Sequence, residues 1–453
     1  MAIAACPTWQ AALVLHATEV MAMASISISP VRAAGRTYGG WDFFLLWAGA
    51  SISIAEVFTG GILAPLGLGL GLLAIVLGHL IGNTPFALGG IISSETGVPT
   101  MVATRPAFGI RGSYLGAGLN VIQLVGWTAV MIILAGQAAN EVSRALFGFD
   151  NLLLWKLIVG LVTTAWALVG QRSWKWLNNA SVVLLLLLCT ALTYAALGGK
   201  SLDELLATRP TGELPFGVGL DLAIALPISW LPLIGDYSRF ARRSRPGFFG
   251  SWLGYFVGSC WMFAVGLMAA LASGEANPVP VMIALGLGLP ALLIVLLSTF
   301  TTAFMDVYST AVSSLNIVPK LGERPGVIIG GLLGTAIALV FAMDKYESFL
   351  LWIGATFVPY FGVVLADYFL LRRARYDVAS LYGPGRYWYW RGLNPRALVA
   401  YLVGLIAFRW LSGEDPLGLL GSLGIADFVH GNLNIVGASV PVLILSAAIY
   451  VVL

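Results

Sequence analysis

Stretches of about 20 apolar residues, the length that crosses a bilayer's hydrocarbon layer as a helix, recur from residue 41 to the end of the chain. Few acids or bases interrupt them. Inside lipid, every backbone N–H and C=O needs an internal partner, so only helices or a closed barrel can cross. The runs are continuous rather than alternating, which selects helices. The composition agrees: 59% of residues are hydrophobic and 10% are charged, against about 25% charged in soluble domains. The fold class read from the sequence is an all-α polytopic membrane protein.

Turn and charge clusters cut the chain into twelve expected spans: 41–66, 69–93, 112–140, 151–170, 176–197, 217–236, 248–273, 288–316, 325–343, 347–371, 394–412 and 434–453. The stretch "ALGLGLP" (284–290) is read as a short extra helix before the eighth span. Loop charge then alternates. One side collects Arg105, Arg111, Arg172, Arg239, Arg242, Arg243, Lys320, Arg372, Arg373 and Arg396, while the other collects acids such as Glu141, Asp150, Glu213, Asp344 and Glu347. The positive-inside rule then places both termini in the cytoplasm. Residues 1–40 are expected to be a disordered cytoplasmic lead or an over-long start, with Met21 and Met23 as later initiation points. "GPGRYWYWRG" (383–392) reads as a cytoplasmic loop on the membrane surface.

Catalytic signatures are missing. The cysteines (6, 189, 260) and histidines (16, 79, 430) are scattered, and no zinc spacing, Walker loop or nucleophile elbow occurs. No nucleophile–base set converges within the spans, so an enzyme is not expected. A nucleic-acid partner is not expected either. The partners implied are the lipid bilayer and a small molecule.

Two spans are interrupted. The first reads "ISIAEVFTGG" and then Pro65; the sixth contains Pro227 and Pro232. A proline removes a donor and disrupts the preceding turn, and broken backbone in a membrane is tolerated where it lines a cavity. The two spans lie five apart, the spacing of an inverted repeat whose first helices both break at the substrate site. The prolines as simple kinks remain the alternative. In the eighth span Ser298, Thr301 and Thr302 share one helix face. Hydroxyls there either coordinate a hard cation or bond back to their own helix. Glu56 and Asp306 are acids in mid-span, which by default marks function; a carboxyl that merely ties broken helix ends is the alternative.

"GDYSRFARRSR" (235–245), "TRPAFGIRGSYL" (104–115) and "ADYFLLRRARY" (366–376), with "TGG" after the first break and "VGW" (125–127), resemble the purine–cytosine permease family of nucleobase–cation symporters. The resemblance runs from about 41 to 450. It implies a LeuT-like fold with inverted repeats over 41–200 and 201–375, a cytoplasmic loop at 376–393 and two appended spans in 394–453, discontinuous in helices 1 and 6. It implies a Na+ site built from the carbonyls of Gly49 and Ile52 and the side chains of Ser298, Thr301 and Thr302. It implies a base stacked on Trp127, with Ile54, Ala55, Glu56, Gln123, Ser229, Trp230 and Asp306 around it. The second stacking aromatic of the family falls on Pro227 here, with Trp230 one turn later. Ile54 replaces an expected serine and "TTAFMD" replaces an expected "TTNDN", which points away from cytosine. "WDFFLLWAGASISIAEVFTGG" with "TTAFMDVYSTAVSSLNI" looks most like the subgroup proposed to carry hydroxymethylpyrimidine, a thiamin precursor. The expected activity is Na+-coupled import by a monomer in a bacterial-type inner membrane. Proton coupling, with Glu56 or Asp306 titrating, is the alternative.

Overall fold

The computed structural model describes residues 27–169, 201–284, 288–413 and 436–453, with isolated positions between 186 and 198. Among the described residues the chain is helical apart from two single-residue bridges. The first expected span is two helices, α1 (Gly40–Ser51) and α2 (Ile54–Ile62), followed by α3 (Gly67–Thr96), α4 (Ser113–Phe147) and α5 (Leu152–Val169). The sixth span is α6 (Phe216–Trp230) and the short α7 (Ile234–Ser238). Then come α8 (Ser244–Ser273), α9 (Pro278–Ala284), α10 (Gly288–Ile317), α11 (Glu323–Val340), α12 (Tyr346–Leu365), α13 (Pro395–Leu411) and α14 (Ser439–Val452). The expected fifth span lies almost wholly outside the described residues. A short helix, α9, precedes the eighth span, but of the expected extra helix "ALGLGLP" only Ala284 is in it, 288–290 open α10 and 285–287 lie outside the described residues.

Both interruptions are real. α1 stops at Ser51 and α2 starts at Ile54, with Ser53 extended between them. α6 stops at Trp230 and α7 restarts at Ile234 across a turn holding Pro232. Pro227 lies inside α6 and packs on α3, where a Cβ at Gly82 would strike its ring.

Small residues set the closest helix contacts. Along α8, Gly250, Gly254, Gly258 and Gly266 each face backbone or a buried serine of α1 and α2: Gly40, Phe44, Ser51 and Val57. A Cβ at Gly266 would fall on the Val57 carbonyl, and one at Gly60 on the backbone of Phe263. Lipid supplies no hydrophobic drive between helices, so such close approach, with its dispersion contacts, holds them together. Gly60 and Gly61 are therefore explained by packing against α8 and Ala276.

Residues 27–39 are tied to the bundle, against the expectation of disorder up to residue 40; residues 1–26 lie outside the described residues. Val31 N–H donates to the Gly97 carbonyl (2.8 Å), Arg36 to the Ser94 carbonyl (2.7 Å), and Tyr38 pairs with Phe240 and Arg242 backbone. Residues 27–39 thus satisfy backbone groups left open where the second and sixth spans end. The 383–392 loop docks on the turn before α4, where the Gly392 carbonyl accepts from Arg111 and Gly112 N–H groups.

Gly266→Leu is expected to destabilise by about 1–3 kcal/mol, as overpacking does, and to lower the unfolding temperature of the purified protein. Gly69→Ala, at a position with nothing within 4 Å, is expected to leave it unchanged or slightly higher, because alanine favours helix.

Candidate functional site

Ser53 opens the first break. Its hydroxyl accepts from Ala55 N–H (3.3 Å), capping α2, while its own N–H turns back to the Ser51 carbonyl (3.0 Å). Glu56 N–H goes to the Ser53 carbonyl (3.1 Å). In an unbroken helix these two N–H groups would have gone to Gly49 and Ile52. The break therefore releases the two carbonyls named from sequence as cation ligands. The pattern S-x-x-E over Ser53–Glu56 is a helix-start signal legible in the sequence, although here the Glu56 side chain does not return to the cap.

The sixth-span break is held from α4. Gln123 Nε2 donates to the Ser229 carbonyl (2.8 Å) and to Asn120 Oδ1 (2.8 Å), while Gln123 Oε1 is buried with no hydrogen-bond partner. Asn120 in turn donates to Ser313 on α10 (2.8 Å).

Between the breaks lies a cavity walled by Ala50, Ser53, Ala55, Glu56, Leu124, Trp127, Met131, Leu226, Ser229, Trp230, Leu233, Thr302 and Asp306. Of the sequence-predicted substrate residues it brings together Ala55, Glu56, Trp127, Ser229, Trp230 and Asp306. Ile54 and Gln123 are buried behind this wall rather than in it. Trp230 lines the cavity and Pro227 does not, and the Trp230 ring stands edge-on to Trp47 at 5.6 Å. Trp127 packs edge-on to Tyr346 (6.1 Å) and Phe349 (5.4 Å). The space left is about 20 Å³, room for about one water. This is a closed arrangement, and a heteroaromatic ring needs the walls to move apart.

Three buried polar atoms of the wall have no hydrogen-bond partner: Trp127 Nε1, Thr302 Oγ1 and Asp306 Oδ2. Such groups are costly unless a ligand, ion or water completes them. They offer one donor, one hydroxyl and one acceptor to whatever occupies the cavity. The side chains of Ser298 and Thr301 lie outside the described residues, so of the hydroxyl triad only Thr302 is described. It lines the same cavity as Ala50, Ser53 and Ala55 at the first break.

Glu56 differs from Asp306. Only 2% exposed, it accepts from Tyr255 Oη at 2.5 Å and Ser259 Oγ at 2.6 Å. Its two oxygens are thus both engaged by α8, and His79 on α3 contacts Ser259 from behind (2.5 Å). Sequence reading missed Tyr255, Ser259 and His79, because nothing in spacing links residues on three helices. It also missed Asp221, whose carboxylate accepts from the N–H groups of Ala438 (2.7 Å) and Ser439 (2.9 Å) and so caps α14. That is a structural role for an acid near the start of a span. Asp236 accepts from Thr100 N–H (3.2 Å), and Asp367 accepts from Tyr376 (2.8 Å) and Tyr450 (2.8 Å), contacts within the packed bundle.

Comparison with known proteins agrees with this architecture. The chain overlays a nucleobase–cation-symport-1 family transporter, solved closed with bromovinylhydantoin bound, with a TM-score of 0.77 and 24% identity, covering 93% of this chain and 94% of that one. A Na+-coupled sialic acid symporter shares the fold at a TM-score of 0.63 and 13% identity, over 93% of this chain and 91% of the other. In sequence, the chain is 30% identical to the cytosine permease of Escherichia coli K12 over 82% of its length and 85% of that protein's. It is 26% identical to the hydantoin permease of Microbacterium maritypicum over 85% of its length and 84% of the other's. The family model described as permease for cytosine/purines, uracil, thiamine, allantoin matches residues 30–429. Carrying that match over most of its length on a LeuT-like fold broken in helices 1 and 6, the chain belongs to the cytosine/purine permease family and is a multi-pass membrane transporter, not an enzyme.

Proposed function

We propose that this transporter imports an aminopyrimidine, hydroxymethylpyrimidine, coupled to Na+ by alternating access, as a monomer in the inner membrane with both termini cytoplasmic. The observation that carries the reading is the cavity where both broken helices meet, with Trp127 and Trp230 in its wall and Thr302 and Asp306 each holding an unpartnered polar atom there. A pyrimidine ring presents a π-face to an indole, and its exocyclic amine donates to a carboxylate such as Asp306. Sodium takes the carbonyls released at Gly49 and Ile52 together with Thr302; Ser298 and Thr301 complete the set on the same helix face. Coupling follows if cation and base each bind one conformation better, and the linkage is reciprocal. The second reading, a permease for cytosine, another purine or pyrimidine, hydantoin or allantoin, is favoured by the names of the relatives. Against cytosine stand Ile54 in place of serine and the changed stretch before Asp306.

The test is thermal stabilisation of the purified protein by hydroxymethylpyrimidine, cytosine, uracil, hydantoin and allantoin, each in sodium and in choline. A shift for the aminopyrimidine alone, larger in sodium, supports the reading. A shift for cytosine or hydantoin replaces the substrate and keeps the transporter.

Trp127→Ala is expected to lose roughly 1–3 kcal/mol of stacking, which is about 5- to 150-fold in affinity, measured by ligand titration of the same purified protein. Thr302→Ala is expected to flatten the sodium dependence of uptake while the ranking of bases in competition stays as in wild type. An unchanged sodium response would place the cation elsewhere.

A further inference from the structure

Behind the cavity wall, three helices bring an acid, an alcohol and an imidazole into one line. His79 is fully buried on α3. Its Nδ1 lies 2.7 Å from the Ile75 carbonyl, which has no hydrogen to give, so Nδ1 carries one. Nε2 lies 2.5 Å from Ser259 Oγ, and Ser259 Oγ lies 2.6 Å from Glu56 Oε2. Each of these two contacts needs a hydrogen, and the serine hydroxyl brings one. The other sits on Glu56 Oε2 with a neutral imidazole, or on His79 Nε2 with a carboxylate. Tyr255 donates to the other carboxyl oxygen and leaves the count unchanged. The line therefore holds one proton beyond the hydrogens already fixed, and two places to keep it.

We propose that Glu56, Ser259 and His79 form a proton-holding site with one mobile proton, and that a cation entering the cavity drives this proton from Glu56 through Ser259 to His79. This rests on the cavity being the transport site. In the step, the Glu56 O–H bond breaks as an O–H forms on Ser259, and Ser259 gives its own hydrogen to Nε2; none enters or leaves. With no charge in the cavity the uncharged pair costs least, since separating charges in an apolar interior is expensive. A cation beside Glu56 reverses that preference. Other titratable groups facing Glu56 are Tyr255 and Cys260 on α8, Tyr346 on α12, which bonds Thr59 at 2.9 Å, and Asp306 across the cavity on α10. His79 is otherwise enclosed by the rings of Phe263 and Tyr255. His79 is thus a positioning residue that sets the charge of Glu56 without touching the ligand.

The chain has three histidines, 16, 79 and 430, so 15N-histidine labelling of the purified full-length protein gives resolvable signals, with His79→Gln assigning the middle one. Sodium chloride is compared with choline chloride, and thermal stabilisation is followed on the same samples. Sodium is expected to move His79 Nε2 from an unprotonated to a protonated position and to remove a protonated-carboxyl infrared band. Glu56→Gln and Ser259→Ala are each expected to abolish both changes, because without the serine hydroxyl the Glu56 proton has no route to His79. If sodium or a base stabilises the protein while wild-type His79 Nε2 and the carboxyl band stay put, the relay is overturned and the transport reading stands. If nothing stabilises it, the transport reading falls and an acid titration decides: histidine and carboxyl signals that move together, and separate in Ser259→Ala, uphold the proton site, whereas independent titration overturns it.

Discussion

A helix broken inside an apolar layer leaves backbone groups that must find partners there, and the rest of this molecule is arranged around two such breaks. At the first, Ser53 caps the restarting helix while the Gly49 and Ile52 carbonyls are turned out of the ladder. At the second, Gln123 reaches from α4 to the Ser229 carbonyl. The breaks are tolerable because they face each other across a cavity rather than lipid. They are kept in place because α8 lies against the first-span halves at glycine distance. The site is thus a consequence of how the chain satisfies its own backbone.

Much of this was legible in the sequence. The apolar runs and loop charges gave span limits within a few residues for most described helices, since length and lipid leave little choice. Pro232 lies at the second break, whereas Pro227 inside α6 and the Gly60–Gly61 pair inside α2 pointed to the right spans but not to where they break. Trp127, Asp306 and Thr302 were named, and all three meet in the cavity. What stayed hidden was whatever depends on contacts between distant helices. The Glu56 partners on α3 and α8, the Asp221 cap on α14, and Gln123 as a brace on the second break have no periodicity to betray them. Pro227, on which the family's second aromatic position falls, packs on Gly82, while Trp230 one turn later lines the cavity. The lead was read as unstructured from its composition, yet residues 27–39 are ordered by backbone pairing, which composition does not report.

The two mid-membrane acids show why residue type alone does not assign a role. Both are 2% exposed and both line the same cavity. Glu56 has both oxygens engaged by α8, so it has little capacity left for a ligand's donors. Asp306 keeps Oδ2 without a partner. A buried acceptor without a donor is costly in the resting protein, and that cost is recovered when a ligand amine arrives. Under the proposed function recognition of the ring falls to Asp306, while Glu56 becomes charged only when a cation enters the cavity.

The small cavity makes the same point about motion. Its walls leave about 20 Å³, so a ring enters only if Trp127 and the broken spans separate. Trp127 stands on α4 and Trp230 on α6, and among the described residues the Gln123–Ser229 hydrogen bond links those helices at the break. One such bond contributes about 1 kcal/mol net, a small cost for parting two walls. Gln123 carries an unpartnered Oε1 and keeps its bond to Asn120 on the same helix, so when the walls part its amide stays on α4. Under the proposed function, the residue that braces the second break then keeps a spare acceptor on the helix that carries Trp127.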